Sequence, residues 1–465
     1  MTREHYDLIV IGAGSAARDG ANKAQKEYGA RVALVEHRLW GGSCPNTACT
    51  PTKAYVVAAE LAHRINTLAP KIGIDAGQAT VDLARVKARK DSLRKPQPKW
   101  VEDLRADGFD TYDGTATFLD ARTVRVGDAE LTAERILVAT GSRTAVPPIQ
   151  GVEDIDWLDH VSALELTELP ASLLVVGAGA VGLEFGQIFA RFGSQVTIVD
   201  ALDEIAPRSD MHAAMELRNA LEEEGIPFIL GSFVSRVAPR DGHHVATIVP
   251  REGGMEREVE FERLLLASGR RPNVEELSLE AVGVETYPGG IVVDERMRTS
   301  NEGIWAAGDV NGQAQFTPVA QYQARIAVED MYRPGEGPAA DYSVLPTAIF
   351  TDPELAGVGL TQMEAEERGH EAEVVVHPLR FVRRASYLDA RFGLFKIVFD
   401  RSSRRVLGLH VVAPNASDVV QGFAIGLRLG VTVDDLAAAH HVFPTIGEGV
   451  KAAAEKTRAT VATRG

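Results

Sequence analysis

Leu8-Ile9-Val10-Ile11-Gly12-Ala13-Gly14-Ser15-Ala16-Ala17 runs four apolar residues into a glycine turn, and a helical stretch then leads to Val32-Ala33-Leu34-Val35, ending on Glu36. Strand, Gly-x-Gly-x-x-Ala turn, helix, second strand and terminal carboxylate together make a βαβ unit of the dinucleotide-binding kind. The residue types follow from the chemistry. Glycines let the backbone approach a pyrophosphate at a helix N-terminus, and the carboxylate accepts from ribose hydroxyls. Ala17 stands where a third glycine is usual, at a position that serves helix–strand packing and tolerates a methyl.

The pattern returns. Leu173-Leu174-Val175-Val176 precedes Gly177-Ala178-Gly179-Ala180-Val181-Gly182, a helix follows, and Val196-Thr197-Ile198-Val199 ends on Asp200. One glycine fingerprint alone is weak, but two with all the flanking parts predict two dinucleotide folds. Shorter echoes run an apolar strand into small residues: Ile136-Leu137-Val138-Ala139-Thr140-Gly141, Leu264-Leu265-Leu266-Ala267-Ser268-Gly269 and Ile304-Trp305-Ala306-Ala307-Gly308-Asp309. Turn-rich crossings near 147–151 and 270–273 suggest that the second fold is inserted in the first. The expected fold is α/β, with one dinucleotide domain over 1–147 and 271–338 and a second over 148–270. After 338, short strand-like runs followed by helices to about Lys456 suggest an α+β domain over 339–465.

Composition narrows the function. The chain has 465 residues, with 49 Lys and Arg against 65 Asp and Glu, for a net charge of −16 and no long basic run. That argues against a nucleic-acid or anionic-membrane surface. No apolar stretch reaches spanning length. The charged start, Met1-Thr2-Arg3-Glu4-His5, is unlike a signal peptide, so a cytoplasmic location is expected. Both cysteines, Cys44 and Cys49, fall in Gly41-Gly42-Ser43-Cys44-Pro45-Asn46-Thr47-Ala48-Cys49-Thr50-Pro51-Thr52-Lys53. A bridge over so short a loop restrains the unfolded chain little, and in a reducing compartment a lone disulfide is more often catalytic than structural. Residues five apart face different ways on a regular helix, so Cys44 is expected at an irregular helix start. Pro45 and Pro51 fit first helical turns, where a helix N-terminus favours thiolate.

With the paired glycine folds, the GG-x-C-x4-C-x-P-x-K segment and the third domain, the whole chain resembles the FAD-dependent pyridine nucleotide-disulfide oxidoreductases. The Gly-x-Gly-x-x-Ala start, Phe350-Thr351-Asp352-Pro353 and Glu448-Gly449-Val450-Lys451 look most like mercuric reductase. The resemblance implies an FAD domain first, an NAD(P)H domain inserted in it, and a C-terminal dimerisation domain in a homodimer whose sites are shared across the interface. Gly12, Gly14, Ala17, Glu36, Gly42, Thr140, Gly141 and Asp309 would then bind FAD, and Gly177, Gly179, Gly182, Asp200 and Gly269 would bind NAD. Cys49 would lie against the flavin as the charge-transfer thiol, Cys44 would be the outer thiol that meets substrate, and Lys53, Glu184 and Glu448 complete the catalytic set. Asp200 can accept from a free 2′-hydroxyl and would repel a 2′-phosphate, favouring NADH over NADPH.

The family's disulfide-reducing members carry His-Pro-Thr-x-x-Glu near the C-terminus. Here His440-His441-Val442-Phe443-Pro444-Thr445-Ile446-Gly447-Glu448 puts Phe443 at the histidine position. Losing a positioned general acid costs about 10²–10⁴-fold, and His441, two residues upstream, is the candidate replacement. A thiophilic metal ion held by Cys44 and Cys49 needs no protonated leaving thiol, although this chain lacks the C-terminal cysteine pair of mercuric reductase. The expected activity is electron transfer from NADH through FAD and the cysteine pair to a small-molecule or metal-ion acceptor. Other readings of the same residues are a dihydrolipoamide dehydrogenase or other small-disulfide reductase, a quinone reductase, and a redox-sensing flavoprotein.

Overall fold

The computed structural model describes residues 2–462. The chain divides into two compact units: Met1–Thr52, Ala88–Ala145 and Gly269–Ala340 form one, and Lys53–Lys87, Val146–Ser268 and Asp341–Gly465 form the other.

The first unit is built on a parallel five-stranded sheet, in the order Ile304–Ala306, Ile136–Val138, Leu8–Ile11, Val32–Glu36, Asp110–Asp113. Its central strands are apolar throughout because both faces are covered. On one face the helix Ser15–Tyr28 packs with the helix Thr317–Tyr332 through Ala17, Ala21, Ala24, Ala320, Ala324 and Ala327. Small side chains let these two helices come close to each other and to the sheet. The other face carries Ile9, Ile11 and Val35 against Phe118, Val124 and Leu131 of the antiparallel strands Ala116–Asp120, Thr123–Val126 and Ala129–Ala133.

In the second unit the same plan recurs. A parallel sheet runs Phe228–Ile229, Gln195–Val199, Ser172–Val176, Arg263–Leu266, and the strands Ser232–Arg240, His243–Pro250 and Arg257–Phe261 form its antiparallel partner. The echoes at 136–141 and 264–269 are thus the same strand of two copies, each entered from a three-stranded antiparallel excursion. This unit also holds an antiparallel sheet in the order Thr347–Ile349, Glu354–Gly359, Val406–Ala413, Leu394–Asp400, Ala372–Pro378, with the helices Ala416–Arg428 and Glu448–Ala462 packed on it. The strand Glu354–Gly359 has no counterpart in the sequence reading, because its glycines weaken the strand pattern. A Cβ on Gly357 would lie 2.8 Å from His410 Nδ1, so the glycine admits a neighbour that the pattern does not reveal.

One buried ion pair lies in this unit. Lys396 Nζ donates to Asp210 Oδ2 at 2.7 Å, with both side chains 3% exposed, and Asp210 also caps the helix Met211–Glu223 by accepting from the His212 and Ala213 N–H groups. Among the described residues no helix is long and apolar enough to cross a membrane.

Candidate active site

The two glycine turns are built alike. Gly12 and Gly177 hold φ of +117° and +112°, and their N–H groups donate to Val35 O at 2.7 Å and Val199 O at 2.8 Å. An added Cβ would lie 2.3 Å from Ala139 O in the first turn and 2.4 Å from Ala267 O in the second, so each turn presses against the neighbouring echo strand. Each terminal carboxylate reaches back to its turn. Glu36 Oε2 accepts from Ala13 N–H at 3.0 Å and Asp200 Oδ2 from Ala178 N–H at 2.6 Å. Their other oxygens accept from the backbone that follows, Glu36 from Arg38 N–H at 2.8 Å and Asp200 from Leu202 N–H at 2.8 Å. The carboxylates are therefore fixed in direction; Asp200 keeps acceptor capacity for ribose hydroxyls, whereas Glu36 accepts from His37 and Leu39 N–H groups as well and would exchange one of these bonds for a ribose hydroxyl.

The helices that leave these turns begin at Gly14 and Gly179 with no side-chain cap, whereas those beginning after Asp210, Thr361 and Thr432 are capped by side chains. An uncapped N-terminus behind a glycine turn leaves N–H donors for an anion, which fits a dinucleotide pyrophosphate in both copies. The third fingerprint position differs between them. A Cβ on Gly182 would fall 1.8 Å from Gly177 O, while the first copy accommodates Ala17, fully buried, at the same place.

Gly42 brings the cysteine segment onto the first turn. Its φ is +73°, and a Cβ there would lie 2.4 Å from Gly14 Cα. Around Thr140 and Gly141 the chain is tied to the 269–273 crossing: Thr140 Oγ1 donates to Asn273 O at 2.7 Å, Asn273 N–H to Gly141 O at 3.0 Å, and Ala145 N–H to Gly269 O at 3.0 Å. Asp309 accepts from Ser142 Oγ at 2.6 Å, and Arg270 donates to both Ser142 Oγ and Ser142 O at 2.7 Å. Ser142 and Arg270 were not legible as partners of Asp309. The nearest signal is the Arg270-Arg271-Pro272-Asn273 crossing itself.

The cysteines occupy two helical segments. Cys44 is half-buried in the short helix Ser43–Asn46, Thr47 at φ −139° ends that helix, and Cys49, exposed, opens the helix Cys49–Thr67. Pro45 and Pro51 lie in the first turns, as expected. Cys49 Sγ lies 3.7 Å from Thr317 Oγ1, and Thr317 opens the helix Thr317–Tyr332. A hydroxyl and helix N-termini at one sulfur favour the thiolate over the thiol. Thr317 is 268 positions away in sequence, and nothing local announces it.

In the second unit Lys53 Nζ donates to Glu184 Oε2 at 2.6 Å, and Glu184 Oε1 accepts from Phe350 N–H at 3.0 Å. The Lys53 ammonium also stands 4.3 Å from the centre of the Phe350 ring. The sequence motif pointed to Lys53 and Glu184. It did not show that Phe350 completes their cage. Near the C-terminus, Glu448 Oε2 accepts from Thr445 N–H at 2.9 Å, while Phe443 is 70% exposed. His441 is half-buried, and burial, followed by the Lys451 ammonium, pushes its imidazole below the usual range against the opposing pull of Glu448.

The sequence model described as pyridine nucleotide-disulphide oxidoreductase matches residues 6–324, and that family's dimerisation domain matches 345–454. The chain belongs to this family. As a pyridine nucleotide-disulphide oxidoreductase it is 37% identical over 457 residues to the mercuric reductase of Lysinibacillus sphaericus, covering 98% of this chain and 83% of that one. It is 36% identical over 457 residues to the dihydrolipoyl dehydrogenase of Thermus scotoductus, covering 97% of each. Among solved structures, the HOCl-induced flavoprotein disulfide reductase RclA from Escherichia coli superposes with a TM-score of 0.85 at 29% identity, covering 97% of this chain and 99% of that one. The Cu(II) complex of RclA gives a TM-score of 0.86 over 98% of this chain and 100% of that one. The chain is thus an FAD- and NAD(P)-dependent oxidoreductase carrying its family's dimerisation domain.

Proposed function

We propose that this oxidoreductase passes electrons from NADH to a Cys44–Cys49 disulfide and on to a thiophilic metal ion, with Hg(II) as the first acceptor to test. The observation that carries the reading is the contact of Gly42 with Gly14, which makes the cysteine segment and the first dinucleotide turn one surface. Gly12, Gly14, Ala17, Glu36, Gly42, Thr140, Gly141 and Asp309 would hold FAD, and Gly177, Gly179, Gly182, Asp200 and Gly269 the nicotinamide nucleotide. Bound FAD supplies a two-electron relay between NADH and the disulfide.

The protein's own groups do the rest. NADH and the disulfide yield NAD⁺, the Cys44 thiol and the Cys49 thiolate. Cys44, as the outer sulfur, and Cys49 then bind Hg(II). The S–S bond re-forms as the ion takes two electrons and the Cys44 thiol proton leaves, so the net reaction is NADH and Hg(II) to NAD⁺, Hg(0) and one proton. Thr317 holds Cys49 in the thiolate form by donating to its sulfur, and Glu184 with the Phe350 ring keeps the Lys53 ammonium directed. Phe443 cannot protonate a leaving thiolate, and His441, neutral at pH 7 by its burial, is a poor donor. A metal acceptor makes no such demand, and mercuric reductases and a Cu(II)-binding reductase are among the relatives. NADH is the preferred donor because Asp200 can accept from a free 2′-hydroxyl and repels a 2′-phosphate; of the two arginines that could neutralise it, Arg191 pairs with Glu224 and Asp352, and Arg208 is exposed. The enzyme works as a homodimer in the cytoplasm, with each site completed across the interface.

The decisive experiment is anaerobic titration with NADH or NADPH, followed by reoxidation with Hg(II), lipoamide or a quinone. A long-wavelength thiolate–flavin band that forms with NADH and is discharged fastest by Hg(II) supports the proposal. Faster discharge by lipoamide would make the protein a disulfide reductase, and reoxidation by quinone that bypasses the cysteines would overturn the electron path. Two variants refine it. Thr317→Val removes a charge-assisted hydrogen bond worth about 1.5 kcal/mol or more, so acid should discharge the band about one pH unit higher than in wild type. Phe443→His should raise lipoamide reduction by at least about tenfold, part of what a positioned general acid contributes, with Hg(II) turnover little changed.

A further inference from the structure

We propose that Asn46, braced by Gln97, is a positioning residue that sets the redox poise of the Cys44–Cys49 couple, an inference that rests on reading these cysteines as a redox pair. Asn46 ends the short helix that carries Cys44 and is 2% exposed. Its amide donates to Trp40 O at 2.9 Å and to Gly42 O at 2.7 Å, so both hydrogens hold the loop just before the cysteine. Gln97 Nε2 donates to Asn46 Oδ1 at 3.0 Å and reaches Trp40 O at 3.4 Å.

That loop needs such a brace. Gly41 and Gly42 hold φ of +90° and +73° in succession, a conformation that neither helix nor strand maintains. From below, the loop rests on Trp100, whose ring carbon would lie 2.6 Å from a Cβ on Gly41, and Trp40 Nε1 donates to Asp113 Oδ1 at 2.6 Å. Gln97 Oε1 is buried without a partner, an unfavourable state for a carbonyl. The opposite orientation of that amide would turn its oxygen towards the two oxygens it now donates to. The orphaned acceptor is the cost of keeping Asn46 and the loop in one arrangement.

The consequence is thermodynamic. A disulfide forms only within a narrow window of Cα separation and dihedral angle. If the loop is ordered on folding, little further ordering opposes S–S closure. If Asn46 is lost, closure must order the loop as well, which shifts the couple towards the dithiol. The FAD-loaded enzyme should be equilibrated with dithiothreitol buffers of graded ratio, and the Cys44–Cys49 couple followed by thiol labelling. Asn46→Ala should lower the disulfide-forming equilibrium constant about tenfold, a rise in midpoint potential of about 30 mV for two electrons. Gln97→Met should shift it about threefold, and the double variant no further than Asn46→Ala alone. In the FAD-loaded variants the flavin potential should stay as in wild type.

A shift under twofold in folded, FAD-loaded Asn46→Ala overturns the inference, as does an equal shift of the flavin potential, which would mark a general loosening. Should Asn46→Ala not fold, Gln97→Met decides: no shift there also overturns it. A wild-type enzyme with no titrating dithiol couple would instead remove the reading of the cysteines on which the inference stands.

Discussion

Cys44→Ser should lower Hg(II) turnover by at least about 10³-fold, the order seen when a reacting group without a substitute is removed, while NADH still bleaches the flavin at its wild-type rate. The argument is one of supply. The chain has two cysteines, and no other thiol can serve as the outer sulfur. Cys49, at Thr317 Oγ1, keeps its own surroundings in the variant. Serine does not bind soft metal ions at neutral pH and cannot form the S–S bond. The long-wavelength band should therefore survive, or strengthen, because Cys49 can no longer be oxidised to the disulfide. Stopped-flow reduction by NADH and steady-state Hg(II) reduction separate the two halves of the reaction. If Hg(II) turnover stays within threefold of wild type, Cys44 is not the exit for electrons.

Lys396→Met should lower stability by about 3–5 kcal/mol, because it leaves a buried carboxylate without its counter-charge. Burial opposes ionisation of Asp210, but in the acid range where the carboxyl titrates the His410 imidazolium, the Lys396 ammonium and the hydrogen bonds it receives outweigh this and hold it below the usual carboxylate range. Burial drives His410 the other way, below the usual imidazole range, so near pH 7 that ring is neutral and Lys396 is the standing partner. The sign with pH follows. A carboxyl depressed in the folded state contributes stability above its unfolded value of about 3.9, and that stability is lost as pH falls through the folded value. The gap between wild type and Lys396→Met should accordingly be widest near neutral pH and shrink on acidification as the stranded Asp210 carboxyl, raised in the variant by uncompensated burial, takes up its proton before the wild-type carboxyl does. At pH 7 the melting temperature should fall by about 3–5 °C, since about 2.1 cal/mol/K of unfolding entropy per residue in a 465-residue chain makes 1 kcal/mol worth about 1 °C. Lys396→Met with Asp210→Asn should recover part of the loss, since removing both charges costs less than stranding one. A melting temperature within about 1 °C of wild type for Lys396→Met would show that loss of the ammonium strands no costly charge at Asp210.

These two sites also mark where the sequence could be read and where it could not. The glycine turns, their carboxylates Glu36 and Asp200, and the strands on either side were legible because the parts lie within about 30 residues of one another, and each residue type has a local reason to be there. The cysteine pair was legible for the same reason. Asp210 and Lys396 are 186 positions apart, and each read alone is an ordinary charged residue. Phe350 is 166 positions from Glu184, and its contribution is a backbone N–H, which every non-proline residue has. Glycine-rich Glu354–Gly359 went unread as a strand because Gly357 there makes room for His410, a tertiary demand that overrides strand propensity.

Short-range order in the chain was thus enough for the family, the repeated dinucleotide fold and the phenylalanine at 443. Each depends on covalent neighbours, whose spacing constrains both backbone shape and chemistry. Tertiary structure alone decided that Thr317 meets Cys49, that Ser142 and Arg270 hold Asp309, that Asn46 is clamped by Gln97, and that burial pushes His441 below the usual imidazole range. Those contacts join segments brought together by packing around buried sheets, where burial and hydrogen bonding change what an otherwise unremarked side chain does.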